Sequence, residues 1–175
     1  MNADKKLLSL SDFDTALRMR DAVHSHPAAS VLLQQGKAEQ TVLFDEPMTG
    51  AKCKIRPDWL SETGFIVDVK STEDSSPYGF GKSSLNYRYD VQGAFYYDGL
   101  AYATGARPDG FAFIAVEKKP PYLVGVYFVT SEIFDLGRKK YLQNLETYIQ
   151  CKQNNIWPGY SEYMEPLAFP AYALK

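Results

Sequence analysis

The sequence predicts an α/β protein, a mixed sheet flanked by helices, and three observations predict it. Short β-prone runs of four to eight residues are separated by turn-forming clusters. Helical periodicity appears before, between and after those runs. The order of helices, strands, helix, two strands and helix does not repeat as a regular βαβ array.

The first helix spans Ser11 to about His26. Phe13, Ala16, Leu17, Met19, Ala22 and Val23 recur at helical spacing, and Ser11 is placed to cap the start. Pro27 suits the opening turn of a second, short helix that runs through Gln35 and stops at Gly36. The period then changes. Thr41 to Phe44, Ala51 to Asp58 and Gly64 to Lys70 read as a three-stranded meander, its turns made by Asp45-Glu46-Pro47 with Thr49-Gly50 and by Ser61-Glu62-Thr63-Gly64. Residues 71–83, rich in Ser, Gly and Pro, read as a loop, and Ser84 to about Ala103 as a tyrosine-crowded helix. Gly110 to Val116 and Tyr122 to Val129 form two further strands joined by Glu117-Lys118-Lys119-Pro120-Pro121. A long helix from Ser131 to Gln153 carries Phe134, Tyr141, Leu142, Leu145, Tyr148 and Ile149 on one stripe. The predicted core covers about residues 10–155 of a single domain spanning 1–175, with residues 156–175 an irregular tail that wraps the surface.

Composition removes several classes of function. At 175 residues and 45% hydrophobic content the chain can bury one sizeable core. It has no apolar run of spanning length and no signal-peptide pattern, so a cytoplasmic location is expected. A net charge of −2 argues against a general positive field for coating nucleic acid, so any DNA binding must rest on local geometry. Cys53 and Cys151 stand alone, which excludes a cysteine zinc site or a four-cysteine iron–sulfur cluster. His24 and His26 are two apart between helices and do not share a helical face, so they read as surface or capping residues.

The chemistry is concentrated in Arg56-Pro57-Asp58 and Ile66-Val67-Asp68-Val69-Lys70. Residues two apart on a strand share a face, so Asp68 and Lys70 point one way while Val67 and Val69 point the other. If the turn at 61–64 returns the chain antiparallel, Asp58 comes close to Asp68. Two carboxylates with a backbone carbonyl, that of Val69, and water suit a small oxygen-seeking cation such as Mg²⁺, with Mn²⁺ a substitute. A lysine beside them can orient the attacking water and offset charge on a phosphate. Elsewhere an Asp-x-Lys pair on a strand is an ordinary solvated ion pair. Here the apolar strand around it marks an interior position, where unpaired charge is costly. Gly79-Phe80-Gly81-Lys82-Ser83-Ser84 is not a phosphate loop, since Ser76 stands where the first glycine is needed. It opens the expected helix, however, so Lys82 and free N–H groups near Ser84 are candidates for a DNA phosphate.

Together with Tyr87-Arg88-Tyr89-Asp90-Val91-Gln92-Gly93-Ala94-Phe95-Tyr96 and Asp98-Gly99, these residues resemble the PD-(D/E)xK nucleases, and within them the RecE-type (exonuclease VIII) branch. The resemblance covers about residues 10–160 and is specific in its middle third. It implies a restriction-endonuclease-like core and a Mg²⁺ site on Asp58 and Asp68, with Lys70 as catalytic lysine. The activity implied is 5′→3′ digestion of double-stranded DNA ends in phage-type recombination, beside a single-strand annealing protein and in a ring-shaped homo-oligomer. It also singles out Glu39, which either holds a metal-bound water or is an exposed strand-edge residue. Gln92 and Tyr96, four apart on one helical face, correspond to a Gln-x-x-x-Tyr pair beside the metal, the tyrosine touching the DNA backbone, with Arg88 a further DNA contact. RecE-type enzymes carry an upstream helix with a metal-site histidine, and none of the 38 residues before Glu39 looks like it. Two alternatives stay open: an endonuclease or resolvase using the same site, and a catalytically weakened DNA-binding module of the same fold.

Overall fold

The computed structural model describes residues 8–169, and the last six residues of the expected tail lie outside them. Helix α1 covers Leu10–Ser25 and α2 Pro27–Leu33. The strands are β1 (Gly36–Ala38), β2 (Val42–Asp45), β3 (Lys52–Ile55), β4 (Trp59–Ser61) and β5 (Phe65–Thr72). Then come α3 (Pro77–Asn86), α4 (Tyr89–Thr104), β6 (Gly110–Glu117), β7 (Val124–Phe128) and α5 (Ser131–Asn154). Five strands form a mixed sheet in the order β1-β4-β5-β6-β7, while β2 and β3 pair as a separate hairpin. Among the described residues only the β5–β6 pairing is parallel.

The expected three-stranded meander is corrected by this topology. The run from 51 to 58 breaks at Arg56-Pro57, because a proline lacks the N–H needed to continue a ladder and restricts the residue before it. β3 therefore ends at Ile55 and stays with β2, and the chain restarts as β4 against β5. The Glu46 carboxylate, fully buried, closes the β2–β3 turn by accepting from the N–H groups of Met48 and Thr49 and from the Thr49 hydroxyl.

The expected loop at 71–83 is also corrected. Ser76 accepts from the Gly79 N–H at 3.1 Å and Pro77 occupies the first helical turn, a start signal that outweighs the loop-like composition. The single helix expected over 84–103 is two, α3 and α4, separated at Tyr87 and at Arg88, whose φ of 57° is left-handed. At the N-terminus Ser9, not Ser11, caps α1 by accepting from the Asp12 N–H at 3.0 Å. His26 caps α2, accepting from Ala29 N–H.

The sheet is covered on both faces. Val67, Ile114 and Val116 pack against Val23 and Ala29 of α1 and α2. Ile66, Phe111, Phe113 and Ala115 pack on the opposite face against Phe80 of α3, with Tyr89, Tyr96 and Leu100 of α4 beside them. α5 lies behind α4, and a Cβ on Gly137 would meet the Asp90 carbonyl oxygen at 2.0 Å, so only glycine permits this approach. Charges pin the two helices: Arg138 donates twice to Asp98, at 2.7 and 2.8 Å, and Tyr141 donates to the same carboxylate at 2.6 Å. Burial and the Asp98 carboxylate both push the Tyr141 phenol up. Cys53 and Cys151 are free and half-buried. Residues 156–169 carry no helix or strand and their side chains are exposed, with the Trp157 ring 5.8 Å from that of Tyr148. Among the described residues no helix is long and apolar enough to cross a membrane.

Asp98→Ala leaves the buried Tyr141 hydroxyl without its acceptor and removes two of the three Arg138 hydrogen bonds, the one to Asp135 remaining. The loss should be roughly 2–3 kcal/mol, below the range for fully enclosed pairs because Arg138 is about a third exposed. Urea denaturation with α-helical signal as readout measures it.

Candidate active site

Asp68 lies in the middle of β5 on the face that α4 covers, and only 2% of it is exposed. Its placement follows from strand alternation: Ile66, Asp68 and Lys70 face α4, while Val67 and Val69 face α1 and α2. Gln92, one turn into α4, donates its amide N–H to Asp68 Oδ1 at 2.5 Å. The Lys70 ammonium lies 2.6 Å from Oδ2. That charge-assisted contact occupies Oδ2, which has no neutral hydrogen-bond donor on it among the described residues. Burial pushes the Asp68 carboxyl up from its ordinary range, and the charge of Asp58 adds to this; Lys70 and Gln92 pull it down without cancelling the rise.

Asp58 is brought beside this group by the end of a ladder. Trp59 opposes Val67 in the β4–β5 pair, so Asp58 is the residue that would oppose Asp68. The buried Pro57 cannot extend the ladder, and the Asp58 side chain takes over, its Oδ2 accepting the Val69 N–H at 2.8 Å. The N–H and C=O of one strand residue point to the same edge, so the Val69 carbonyl opens toward Asp58. The Asp58 carbonyl in turn accepts from the Glu39 N–H at 3.0 Å.

Glu39 is thus tied to the site by its backbone, in a left-handed conformation with φ of 54°. Its carboxylate turns to Arg56 Nε at 2.7 Å, with both side chains more than half exposed. The described residues contain no group of three or more His, Cys, Asp or Glu side chains placed to hold one metal ion. The groups that the β4–β5 register brings to this edge are oxygens: the Asp58 carboxylate, the Val69 carbonyl and the Asp68 carboxylate, whose Oδ2 is paired with Lys70. With no thiolate or imidazole among them, the set suits a hard, water-retaining cation such as Mg²⁺ or Mn²⁺.

The other expected residues are divided. Tyr96 packs its ring on Phe111, 6.3 Å between centroids, and is half-buried in the core cluster. Arg88 is exposed and forms no ion pair among the described residues. Lys82 is exposed on α3. The reading of Ser84 as a helix opening is corrected: α3 begins at Pro77, so the N–H of Ser84 lies in its interior, where the helix ladder uses it. Sequence reasoning passed over Tyr89 as one core aromatic among many. Its ring lies 4.8 Å from the Lys70 ammonium and stacks on Phe113, holding the lysine by a cation–π contact. Its position directly after the helix break, with Gln92 three residues later on the same face, was the available signal.

A family model described as a PDDEXK-like domain of unknown function (DUF3799) matches residues 1–168. Among solved structures, a protein from Eubacterium rectale provisionally described as an exonuclease matches with a TM-score of 0.70 at 18% identity, over 95% of this chain and 66% of that one. The present chain therefore spans slightly less than two thirds of that protein. An alkaline exonuclease from Laribacter hongkongensis matches at a TM-score of 0.38 and 13% identity, over 86% of this chain and 76% of that one, too distant to carry an argument. Comparison with curated proteins finds no match.

Because the fold raises the Asp68 pKa, the folded state holds that proton more tightly than the unfolded chain does. In metal-free protein its contribution to stability should therefore fall as pH rises from the ordinary carboxylate range through the raised value. Asp68→Asn should remove this component. Denaturation midpoints at a series of pH values, wild type against variant, give the comparison, and an identical slope in both would contradict it.

Proposed function

This protein belongs to the PDDEXK-like family DUF3799, and from that membership and the Asp58, Asp68 and Lys70 arrangement we propose that it is a divalent-metal-dependent nuclease acting on DNA. The observation that carries the proposal is the buried Asp68 carboxylate. Its Oδ2 pairs with Lys70 and its Oδ1 with Gln92, and it stands across from Asp58 where β4 gives way to a side-chain contact. A strand interior does not keep such a charge for stability, since removing ions from water usually costs more than their pairing returns.

Asp58, Asp68 and the Val69 carbonyl would hold Mg²⁺ or Mn²⁺, with water completing the shell. Bound there, the ion would supply positive charge to the scissile phosphate. Gln92 holds Asp68 in one rotamer through Oδ1, which leaves Oδ2, paired with Lys70, as the oxygen that would meet the ion. Lys70, fixed by Asp68 and the Tyr89 face, is placed to orient the attacking water and to offset charge that grows on the phosphate. Arg88, one residue before Tyr89, and Lys82 on α3 serve as contacts to the DNA backbone. Tyr96 acts chiefly by packing α4 on the sheet. Glu39 reaches the site through its backbone, and its carboxylate would act only after leaving Arg56.

Within this reading, the finer activity is 5′→3′ digestion of double-stranded DNA ends in phage-type recombination, with a single-strand annealing protein as partner and a homo-oligomeric ring as assembly. The motif resemblance in the middle third supports it. So does the description of the E. rectale protein, whose length this chain covers only in part. A plasmid assay separates the reactions: consumption of linear DNA with closed circles left intact supports an exonuclease, whereas nicked or linearised circles mean an endonuclease using the same residues.

Asp58→Ala, Asp68→Ala and Lys70→Ala should each lower metal-dependent cleavage by at least about 10²-fold, as loss of a transition-state charge stabiliser does. Circular dichroism checks that the fold is kept, and folded variants cutting at the wild-type rate would exclude this site. With so few protein ligands, Mg²⁺ affinity should be weak, roughly millimolar, and cleavage by the 175-residue chain slow. Calorimetric titration of wild type against Asp68→Ala reads the affinity independently of activity. Arg88→Ala and Lys82→Ala should each reduce the salt slope of DNA binding by about one, whatever the DNA sequence.

A further inference from the structure

Between α3 and α4 one aromatic ring stands outside the core and is held in place from within it. Tyr87 caps the C-terminus of α3 and is 70% exposed. Its backbone is fixed: its N–H donates to the Ser83 carbonyl at 2.9 Å, and at Arg88 the chain turns through the left-handed region, with the Arg88 carbonyl accepting from Val91 and Gln92. The Tyr87 ring stacks on Tyr89, 5.8 Å between centroids and 24° between planes. Tyr89 in turn stacks on the buried Phe113 at 5.4 Å and carries the Lys70 ammonium. A ladder of rings thus runs from the sheet to the surface beside the candidate lysine, and Tyr87 is its exposed end.

Most exposed aromatics stand singly and need no explanation. Tyr78, more exposed still, has no aromatic neighbour among the described residues. Tyr87 differs in two ways. Stacking already orders its ring, so a flat partner laid on it costs little further entropy. Such a partner would also lie one ring away from the group that holds Lys70.

Resting on the nuclease reading above, we propose that Tyr87 is the platform on which the terminal base of a DNA strand stacks, so that an end is recognised by the base face that only an end exposes. In a closed duplex every base is covered above and below by its neighbours, whereas the last base at a terminus, paired or overhanging, has one free face. Stacking on tyrosine tolerates every base, because each has a π-face. It needs no positive field, which suits a chain with a net charge of −2. Arg88, adjacent and exposed, supplies the charge for the neighbouring phosphate.

The test measures binding without divalent metal, so that nothing is cut. A short duplex with 2-aminopurine as its terminal base reports stacking through its emission, and the same base placed in the interior is the control. Wild type should change the terminal signal and leave the interior one, and covalently closed plasmid at equal nucleotide concentration should compete poorly. Tyr87→Ala should weaken binding of ends roughly tenfold, in the range for loss of one base–aromatic stack. Tyr87→Leu, apolar but without a π-face, should behave as Tyr87→Ala does, while Tyr87→Phe and Tyr87→Trp keep the wild-type affinity. Tyr87→Ala should leave the salt slope unchanged, in contrast to Arg88→Ala. The position is at the surface, and circular dichroism verifies that each variant folds. A chain that binds no DNA end, ends bound equally by wild type and Tyr87→Ala, wild-type affinity in Tyr87→Leu, or equal competition by closed and linear DNA would overturn the proposal. It fails separately from the nuclease reading. Tyr87-dependent binding of ends by a chain that never cleaves supports the platform alone. Cleavage that Asp68→Ala abolishes, with ends bound equally by wild type and Tyr87→Ala, overturns the platform alone.

Discussion

Eight consecutive residues of β5 pair in parallel with eight of β6, and the way Gln92 and Tyr89 meet Asp68 and Lys70 follows from that ladder. Parallel neighbours cannot be joined by a tight turn; the chain must leave one end of the sheet and return at the other. Here the return is α3 and α4, laid over the face to which Ile66, Asp68 and Lys70 point. Gln92 and Tyr89 reach Asp68 and Lys70 because they ride on this crossover. Antiparallel pairing of the same two strands would have left the carboxylate open to water, with no helix to narrow its rotamers.

α4 accordingly behaves unlike a surface helix. It has the sheet on one side and α5 on the other, and it presents polar groups to both: Gln92 to Asp68, Asp90 to Lys140, and Asp98 to Arg138 and Tyr141. Gly137 allows α5 to come against the α4 backbone, and the ion pairs then fix the register between the two helices. The candidate site is thus backed by two helices locked to each other, a rigid support that metal ligation and phosphate positioning require. Oδ1 of Asp90, buried without a hydrogen-bond partner among the described residues, shows that the locking is not free of cost.

Near the site, side chains do work that backbone would do elsewhere. The β4–β5 ladder ends one pair short of Asp68, and the Asp58 carboxylate, instead of a strand carbonyl, accepts the next N–H. Pro57 imposes that ending, since it can neither donate nor adapt its φ. The exchange leaves a carboxylate and a strand carbonyl at one sheet edge, a grouping that uninterrupted pairing would have consumed. Burial of Asp68 raises its pKa and makes its ionisation a standing cost, as expected where polar groups are kept for chemistry rather than for stability.

Much of this was legible in the amino-acid order. Alternation in Ile66 to Lys70 determined which residues share a face, helical spacing determined that Gln92 and Tyr96 lie on one side of α4, and Pro27 marked the opening of α2. Those are local properties, set by backbone period and by what proline permits. The partnership of strands was not local. The same turn signals suit a meander, and only the competition for pairing partners across the whole sheet separated β2–β3 from β4–β5. Tertiary packing also decided that Tyr89 rather than Tyr96 lies against Lys70, that the Glu39 carboxylate turns to Arg56, and that Asp68 is buried. Contacts between residues tens of positions apart depend on how the crossover sits on the sheet, and no periodicity in one segment encodes that.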